Sequence, residues 1–470
     1  MNVALFSKLK TLKKYKHYID EFFYGYSYPL FLSLVAIISY FFTIPLFGFT
    51  IFAVLACASL YLYKDLTPFL PPVFLFLFNF RDMAMLSSAY FYVLCGFCGV
   101  AIIAHFFIFR VRIFLGKLFI PLCLMILSLF MGGVLSDFLD DYLGGLAVIF
   151  AVGPVVLFEY FLLSNYVEPP KNFDLKKYLC SLVVISAFTA SATMLLIVSY
   201  HGAFPYKGLR LVGWGTSNTV ASLILIATPC CCYLMSKAKL FTPFILLFTL
   251  FVFALLLSNS DGCLGIFGFF MPLLLVVTFL CIDKNRKRLF LTEFAIFCIV
   301  FFTILIIITR NYDFNNLLNT SDSGRLKIYE EALKLFVRYP IFGVGQGYVN
   351  LNVFNPSLDV LRQYNFHSSI LHVMATMGTV GLLSFVYYVV QRFRILAGKN
   401  RFNLFVVLSF FMFESYALID VSEFCIFPLL CIVTIIISVT EKVNNTSTEN
   451  SLLKNNFNKK FNAKYISNFI

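Results

Sequence analysis

Charge is scarce in this chain. Asp, Glu, Lys and Arg supply only 13% of its 470 residues, Trp occurs once, and 60% of the residues are apolar. A water-soluble domain cannot hide that much apolar side chain, so the composition excludes one. Short runs that alternate apolar and polar residues are also missing, which excludes a transmembrane β-barrel. No repeat of about 20 to 50 residues runs along the chain, and no inverted repeat of the transporter kind is visible. The N-terminus lacks a short apolar core with a cleavage site, so no removed signal peptide is expected.

What the chain does have is long apolar segments. About 20 residues cross the hydrocarbon as a helix, and a helix satisfies its own backbone polar groups in lipid. Fourteen candidate spans follow: 29–43, 45–63, 67–80, 84–109, 113–133, 143–164, 178–199, 217–235, 239–257, 263–281, 289–309, 368–389, 403–419 and 424–440. The third is short and holds Pro68, Pro71 and Pro72, so a broken or re-entrant segment is expected there. The first two are tightly joined, and twelve spans fit nearly as well. The expected fold is an all-α polytopic membrane protein with 12–14 transmembrane helices. Residues 1–28 form a basic cytoplasmic N-terminus, 29–309 and 368–440 the membrane helices, 310–367 one large extracytoplasmic loop, and 441–470 a cytoplasmic tail rich in Asn, Lys and Ser.

Net charge is +13, but the basic residues sort by side. With the N-terminus inside, inward segments hold 27 Lys and Arg and outward ones nine, together the 36 of the chain. This is the positive-inside pattern, and nucleic acid is not expected as a partner. Eight of the nine outward cations lie in two loops: Lys207 and Arg210 in one, Arg310, Arg325, Lys327, Lys334, Arg338 and Arg362 in the other. Positive charge placed against the topological bias points to an anionic ligand on the outer face; solvated loop charge touching lipid headgroups is the plainer explanation. The 13 Cys sit in or beside apolar spans and read as small core residues. The CxxC of Cys95 and Cys98 has no second pair at zinc spacing.

The loop 310–367 is the longest polar stretch between spans. From Ser323 to Tyr339, Leu326, Tyr329, Leu333 and Phe336 recur at three or four positions, which predicts an amphipathic helix along the outer bilayer surface. Asp322 or Ser323 can cap it and Pro340 stops it. Gly343, Gly345 and Gly347 follow, then Tyr348, allowing a tight backbone path for a phosphate or sugar. No Rossmann strand and helix flank these glycines, so a nucleotide site is rejected. The loop ends on His367 at the membrane boundary. Among ionisable residues within spans, Glu159 and Glu293 are expected to snorkel, while Glu414 and Asp420 in the outer half of one span are functional candidates.

Arg325 and its helix, then YPIFGVGQG and FHSSILHVMATMGTVGLL, resemble the O-antigen ligase and Wzy-type O-antigen polymerase superfamily. The resemblance rests on an Arg opening a loop helix, a Pro–x–x–Gly–x–Gly turn, and a His before a helix carrying Gly–x–x–Gly–Leu. Here these are Arg325, Pro340, Gly343, Gly345, His367, Gly378 and Gly381. Upstream, GWGTSNTVASLIL places Asn218 at a matching loop-to-helix junction. There are two departures: Ser368 follows His367 where the family usually has Asn, and Asp261 follows Ser260 where it commonly has Arg. The resemblance covers roughly residues 200 to 440.

The resemblance implies a GT-C-like architecture in a bacterial inner membrane and a metal-independent, inverting glycosyltransferase acting on the extracytoplasmic face. Its donor would be a glycan on polyprenyl diphosphate and its acceptor a sugar hydroxyl, with no cofactor and possible partnership with a chain-length regulator. A diphosphate leaving group asks for cations, expected from Arg325 with Arg210 and Lys207. An attacking hydroxyl asks for a base, expected from His367, whose alternative role is a helix-terminal hydrogen bond through Ser368. Asn218, Gly343, Gly345 and Tyr348 complete the expected substrate contacts. A lipid-linked oligosaccharide flippase is the alternative function; it would spread polar residues through several spans at mid-membrane.

Overall fold

The computed structural model describes residues 16–80, 88–110, 113–134, 149–201, 212, 215–258, 260–311, 323–346, 366–420 and 429–446. Every expected span carries helix in its described part, and no strand occurs among the described residues. In chain order the helices are α1 (Lys16–Tyr24), α2 (Ser27–Phe41), α3 (Pro45–Leu62), α4 (Leu70–Leu75), α5 (Ala89–Ile108), α6 (Phe119–Val134), α7 (Val156–Tyr166) and α8 (Leu175–His201). They continue with α9 (Ser217–Lys237), α10 (Thr242–Ser258), α11 (Asp261–Cys281), α12 (Lys287–Asn311), α13 (Ser323–Arg338), α14 (Ser369–Leu396), α15 (Arg401–Ala417) and α16 (Leu429–Thr446). Seven are long and apolar enough to cross a membrane alone, and the pair α1–α2, bent by 64°, would make an eighth. Others, such as α10 and α15 at 17 residues each, are too short to do so unaided.

Local chemistry explains many of the boundaries. Pro45 opens α3, where a missing N–H costs nothing. Ser88 and Asn400 cap α5 and α15 by accepting from the N–H groups of Phe91 and Asn403. The proline-rich third span is broken as expected, into a 3₁₀ turn at Thr67–Phe69, the short α4, and a second 3₁₀ turn at Phe76–Asn79.

Burial ranks the helices. The apolar window of α9 is entirely buried, against 17% for α5 and 22% for α11. So α9 is the hub, packed on α8, α10, α11 and α15, while α5 and α11 face outward to lipid. Cys230, Cys231 and Cys232 are buried free thiols in the hub, in keeping with a packing role. Glu293 does more than snorkel, since it accepts a hydrogen bond from Thr242 at 2.9 Å.

Helix α13 forms over the expected residues, but its packed face differs from the expected one. Ala332 and Leu335 are buried with Val344, Phe366 and Ala375, and Ile328, Tyr339 and Leu371 flank them. Leu326 and Leu333, assigned to the apolar face from spacing, are 69% and 47% exposed, as are Val337 and Ile341 nearby. The helix therefore has two apolar stripes, and the one made of Ile328, Ala332, Leu335 and Tyr339 docks on α14.

Candidate functional site

The joint that holds α13 to α14 is built from backbone. At Gly378, inside α14, φ is 64° and ψ is −157°, so the helix is interrupted. An unbroken helix would bond the N–H groups of Thr379 and Val380 to the carbonyls of Ala375 and Thr376. Here the segment after α13 is spliced into the gap. Val344 N–H donates to Ala375 O and Gly345 N–H to Thr376 O, both at 2.9 Å, while Thr379 N–H donates to Pro340 O (2.7 Å) and Val380 N–H to Ile341 O (3.2 Å). Four bonds replace two at the break.

This geometry gives the glycines their reason. Gly343 and Gly378 have φ of +69° and +64°, a region that glycine enters freely. A Cβ on Gly343 would strike the backbone of Ala375, Thr376 and Met377; one on Gly378 would strike Ile341 and Phe342. The expected open path for a phosphate or sugar is thus filled at Gly343 by α14 itself, and the amide of Gly345 is spent on Thr376. Gln346, 5% exposed, locks the splice by donating to Thr376 Oγ1 (2.9 Å), with its Oε1 3.0 Å from His372 Nε2. His372 therefore points into the bundle.

Around this joint, four segments meet at the end of α15. Asp420 is the meeting point. Its Oδ1 lies 3.3 Å from His367 Nδ1, and its Oδ2 accepts from Tyr416 OH at 2.7 Å and from Asn218 Nδ2 at 3.1 Å. Ser369 Oγ approaches the Asp420 carbonyl at 3.4 Å. Arg325, near the start of α13, donates through Nη1 to the carbonyl of Ile419, one residue before, at 3.5 Å. Arg325 and His367, 42 positions apart in sequence, thus converge on adjacent residues.

His367 is held from both sides. Its φ is +48°, a left-handed conformation that is uncommon for a residue with a side chain. Such strain persists where the surroundings over-determine it. Tyr329 OH, from α13, donates to the His367 carbonyl at 3.1 Å, and Asp420 engages the ring. The imidazole remains 37% exposed while the Asp420 side chain is 11% exposed. That combination fixes the orientation of the ring and leaves it reachable. Ser368 stands at the N-cap of α14 but makes no side-chain cap.

Asn218 owes its place to a reciprocal cap at the start of α9. Thr216 Oγ1 accepts from Thr219 N–H, and Thr219 Oγ1 accepts from Thr216 N–H. Its amide is spent at least in part on Asp420, so it positions the carboxylate. Helix α11 also begins at this corner, since Gly262 lies so close to Ile419 that a Cβ would overlap its side chain, with Tyr416 in van der Waals reach. Asp261, immediately before it, borders the site with negative charge. Lys207, Arg210 and Tyr348 lie outside the described residues.

The second candidate acid separates from the first. Glu414 Oε1 lies 2.9 Å from Arg392 Nη2. Arg392 is fully buried, with Tyr388 and Phe410 ring centroids 4.1 and 4.7 Å from its guanidinium carbon. That pair is part of the intramembrane packing of α14 on α15. Spacing placed Glu414 and Asp420 together in one span; the structure gives them different partners.

Comparison with known proteins bears on the same stretch. Residues 245–386 match the family model Wzy_C, described as O-antigen ligase. No curated protein matches the chain. The matched region takes in Arg325, Gly343, Gly345, His367, Gly378 and Gly381, and stops short of Asn218 and Asp420 on either side. Residues 245–386 of this chain are thus similar to the O-antigen ligase family.

Proposed function

We propose that the chain extends or transfers surface polysaccharide, moving a glycan from a polyprenyl diphosphate donor to a sugar hydroxyl, on the extracytoplasmic face of a bacterial inner membrane. A glycosyl-transfer role in surface-polysaccharide assembly accords with the family. The observation that carries the finer reading is the corner where His367 and Arg325 meet residues 419–420.

The roles follow from which atoms are engaged. In this reading Nδ1–H of His367 donates to Asp420, and Nε2 is the atom assigned to take a proton. Nε2 removes the proton of the acceptor hydroxyl as its oxygen attacks the anomeric carbon. The bond from that carbon to the diphosphate oxygen breaks, and polyprenyl diphosphate departs with the electron pair. Attack opposite the leaving group inverts the anomeric centre. Asp420 keeps the ring in one tautomer and stabilises the imidazolium that forms, the part a third group plays wherever a base is oriented by a carboxylate. Arg325 neutralises the leaving diphosphate, for which its planar fork suits two phosphate oxygens at once. This reading assigns the leaving-group charge to guanidinium groups rather than to a metal, with Arg210 and Lys207 as further cations. Asp261 at the rim disfavours phosphate on its side, which places the diphosphate toward Arg325.

The test uses purified protein, lipid-linked donor and lipid-linked acceptor. His367→Gln keeps a hydrogen-bonding side chain and should lose most transfer while donor still binds. Near-normal activity would reduce His367 to a helix-terminal residue and remove the proposed mechanism. In cells, loss of the protein should leave short lipid-linked units outside the membrane; accumulation inside would favour a flippase.

A further inference from the structure

Far from His367, chain segments close around a polar cavity of about 380 Å³. Asn444, beside it, donates to Ile395 O at 2.8 Å near the far end of α14. His367 precedes the near end, and the intervening helix rises roughly 40 Å, so the cavity lies at the opposite membrane face. Three cations line it from three helix ends: Lys64 after α3, Arg110 after α5 and Lys442 in α16. Glu168 reaches Lys64 at 3.3 Å and Lys442 at 3.5 Å, and no ion pair of Arg110 occurs among the described residues. The other acid, Glu441, is 3% exposed and already committed. Its Oε1 accepts from Lys117 N–H at 3.0 Å and its Oε2 from Tyr160 OH at 2.5 Å. Within the open part, cations outnumber acids.

The arms that carry these cations are fixed by buried polar groups. Asp65, 7% exposed, accepts from Thr67 N–H (3.1 Å), Thr67 Oγ1 (2.9 Å) and Glu168 N–H (2.7 Å), which ties the Lys64 arm to the Glu168 arm. Asn165, 4% exposed, accepts from Phe114 N–H (2.7 Å) and donates to Phe114 O (2.9 Å), holding the segment that follows Arg110. Burying such groups is costly unless each is bonded. Cations that merely mark the inward side act during insertion and need no fixed geometry. Convergence of fixed cations on one cavity is what an anion requires.

We propose that this cavity binds a phosphate-bearing anion, at the membrane face opposite the transfer site. The Arg110 fork takes two phosphate oxygens, and Lys64 and Lys442 exchange Glu168 for the ligand. The phosphate belongs either to a phospholipid headgroup or to a soluble compound. The site is independent of the chemistry at His367.

Full-length protein in a nonionic detergent allows both sources to be tested. Inorganic phosphate is titrated with the thermal unfolding midpoint as readout, and phosphatidylglycerol is added to the micelles while native mass spectrometry counts retained lipid. Wild type should bind at least one probe. Arg110→Gln should weaken that binding about tenfold or more, the loss of one charge-assisted bond, and Arg110→Lys should restore part of it. Arg110 is exposed, so these variants should fold; Lys442→Gln provides a second reading. His367→Gln should bind as wild type does. Midpoint shifts by phosphate that deplete lipid identify a soluble ligand, whereas lipid retention that phosphate does not displace identifies a headgroup. Binding of neither probe, or equal binding by wild type, Arg110→Gln and Lys442→Gln, would overturn the proposal.

Discussion

In the proposed mechanism His367 does the chemistry and Asp420 positions it, and substitution separates these roles. Asp420→Asn preserves size and can still meet Tyr416 and Asn218, but it no longer accepts from Nδ1–H on the same terms. We expect kcat to fall on the order of 10²-fold or more, in the range of general-base effects, with donor KM little changed and Asp420→Glu recovering part. A fall in protein level alone would make Asp420 a packing residue. Glu414 supplies the contrast. Glu414→Gln leaves the buried Arg392 charge without its carboxylate, and breaking a buried pair costs about 3–5 kcal/mol. Its signature is a lowered unfolding midpoint and lower yield, with the surviving protein retaining its turnover. Arg325→Ala should abolish polymer at unchanged protein level, and Arg325→Lys, a point charge without the fork, should recover only part; a fully active Arg325→Ala would take the loop helix out of the mechanism.

At the scale of elements, the splice between the segment after α13 and the break in α14 determines where Arg325 and Tyr329 sit. Gly378→Ala combines a positive φ with overlap on the Ile341 carbonyl. It should cost about 1–3 kcal/mol and free α13, seen as faster proteolysis after Arg338 and as lost transfer. Gly381→Ala is crowded too, because a Cβ there would overlap Met377 Cβ, which the backbone holds in place. Wild-type proteolysis in the Gly378 variant would mean that side-chain packing at Ala332 and Leu335 alone holds the helix. The existence of α13 was legible from a period near 3.6, and its end from Pro340. The face that docks was not. Two apolar stripes share the helix, and periodicity says that a stripe exists without naming its partner.

For the whole molecule, the two proposals put the transfer site at one membrane face and the cation-lined cavity at the other. From the distribution of 27 inward against nine outward basic residues, we expect the loop 310–367 outside and both termini in the cytoplasm. A cysteine introduced by Asn316→Cys should react with an impermeant reagent in intact cells, in a background where the native thiols have been replaced. Protection there, with labelling of a cysteine placed in the tail, would reverse the orientation and put the proposed chemistry on the wrong side for an exported donor.

By itself the sequence determined the class of fold and the parts of the site that lie close together in the chain. Lipid offers no hydrogen bonds, so long apolar segments have to become helices; proline, which lacks an N–H, broke the third segment, and glycine, which lacks a Cβ, permits the turns at Gly343 and Gly378. Arg325 and His367 stood out because each is polar where a scaffold has no need of polarity. Only the tertiary structure decided that Asn218 and Asp420, 202 residues apart, meet each other and His367, and that Glu414 belongs to Arg392 instead. A helix in lipid is apolar on its packed and its lipid-facing sides alike, so its sequence pattern carries little information about which neighbours it will touch.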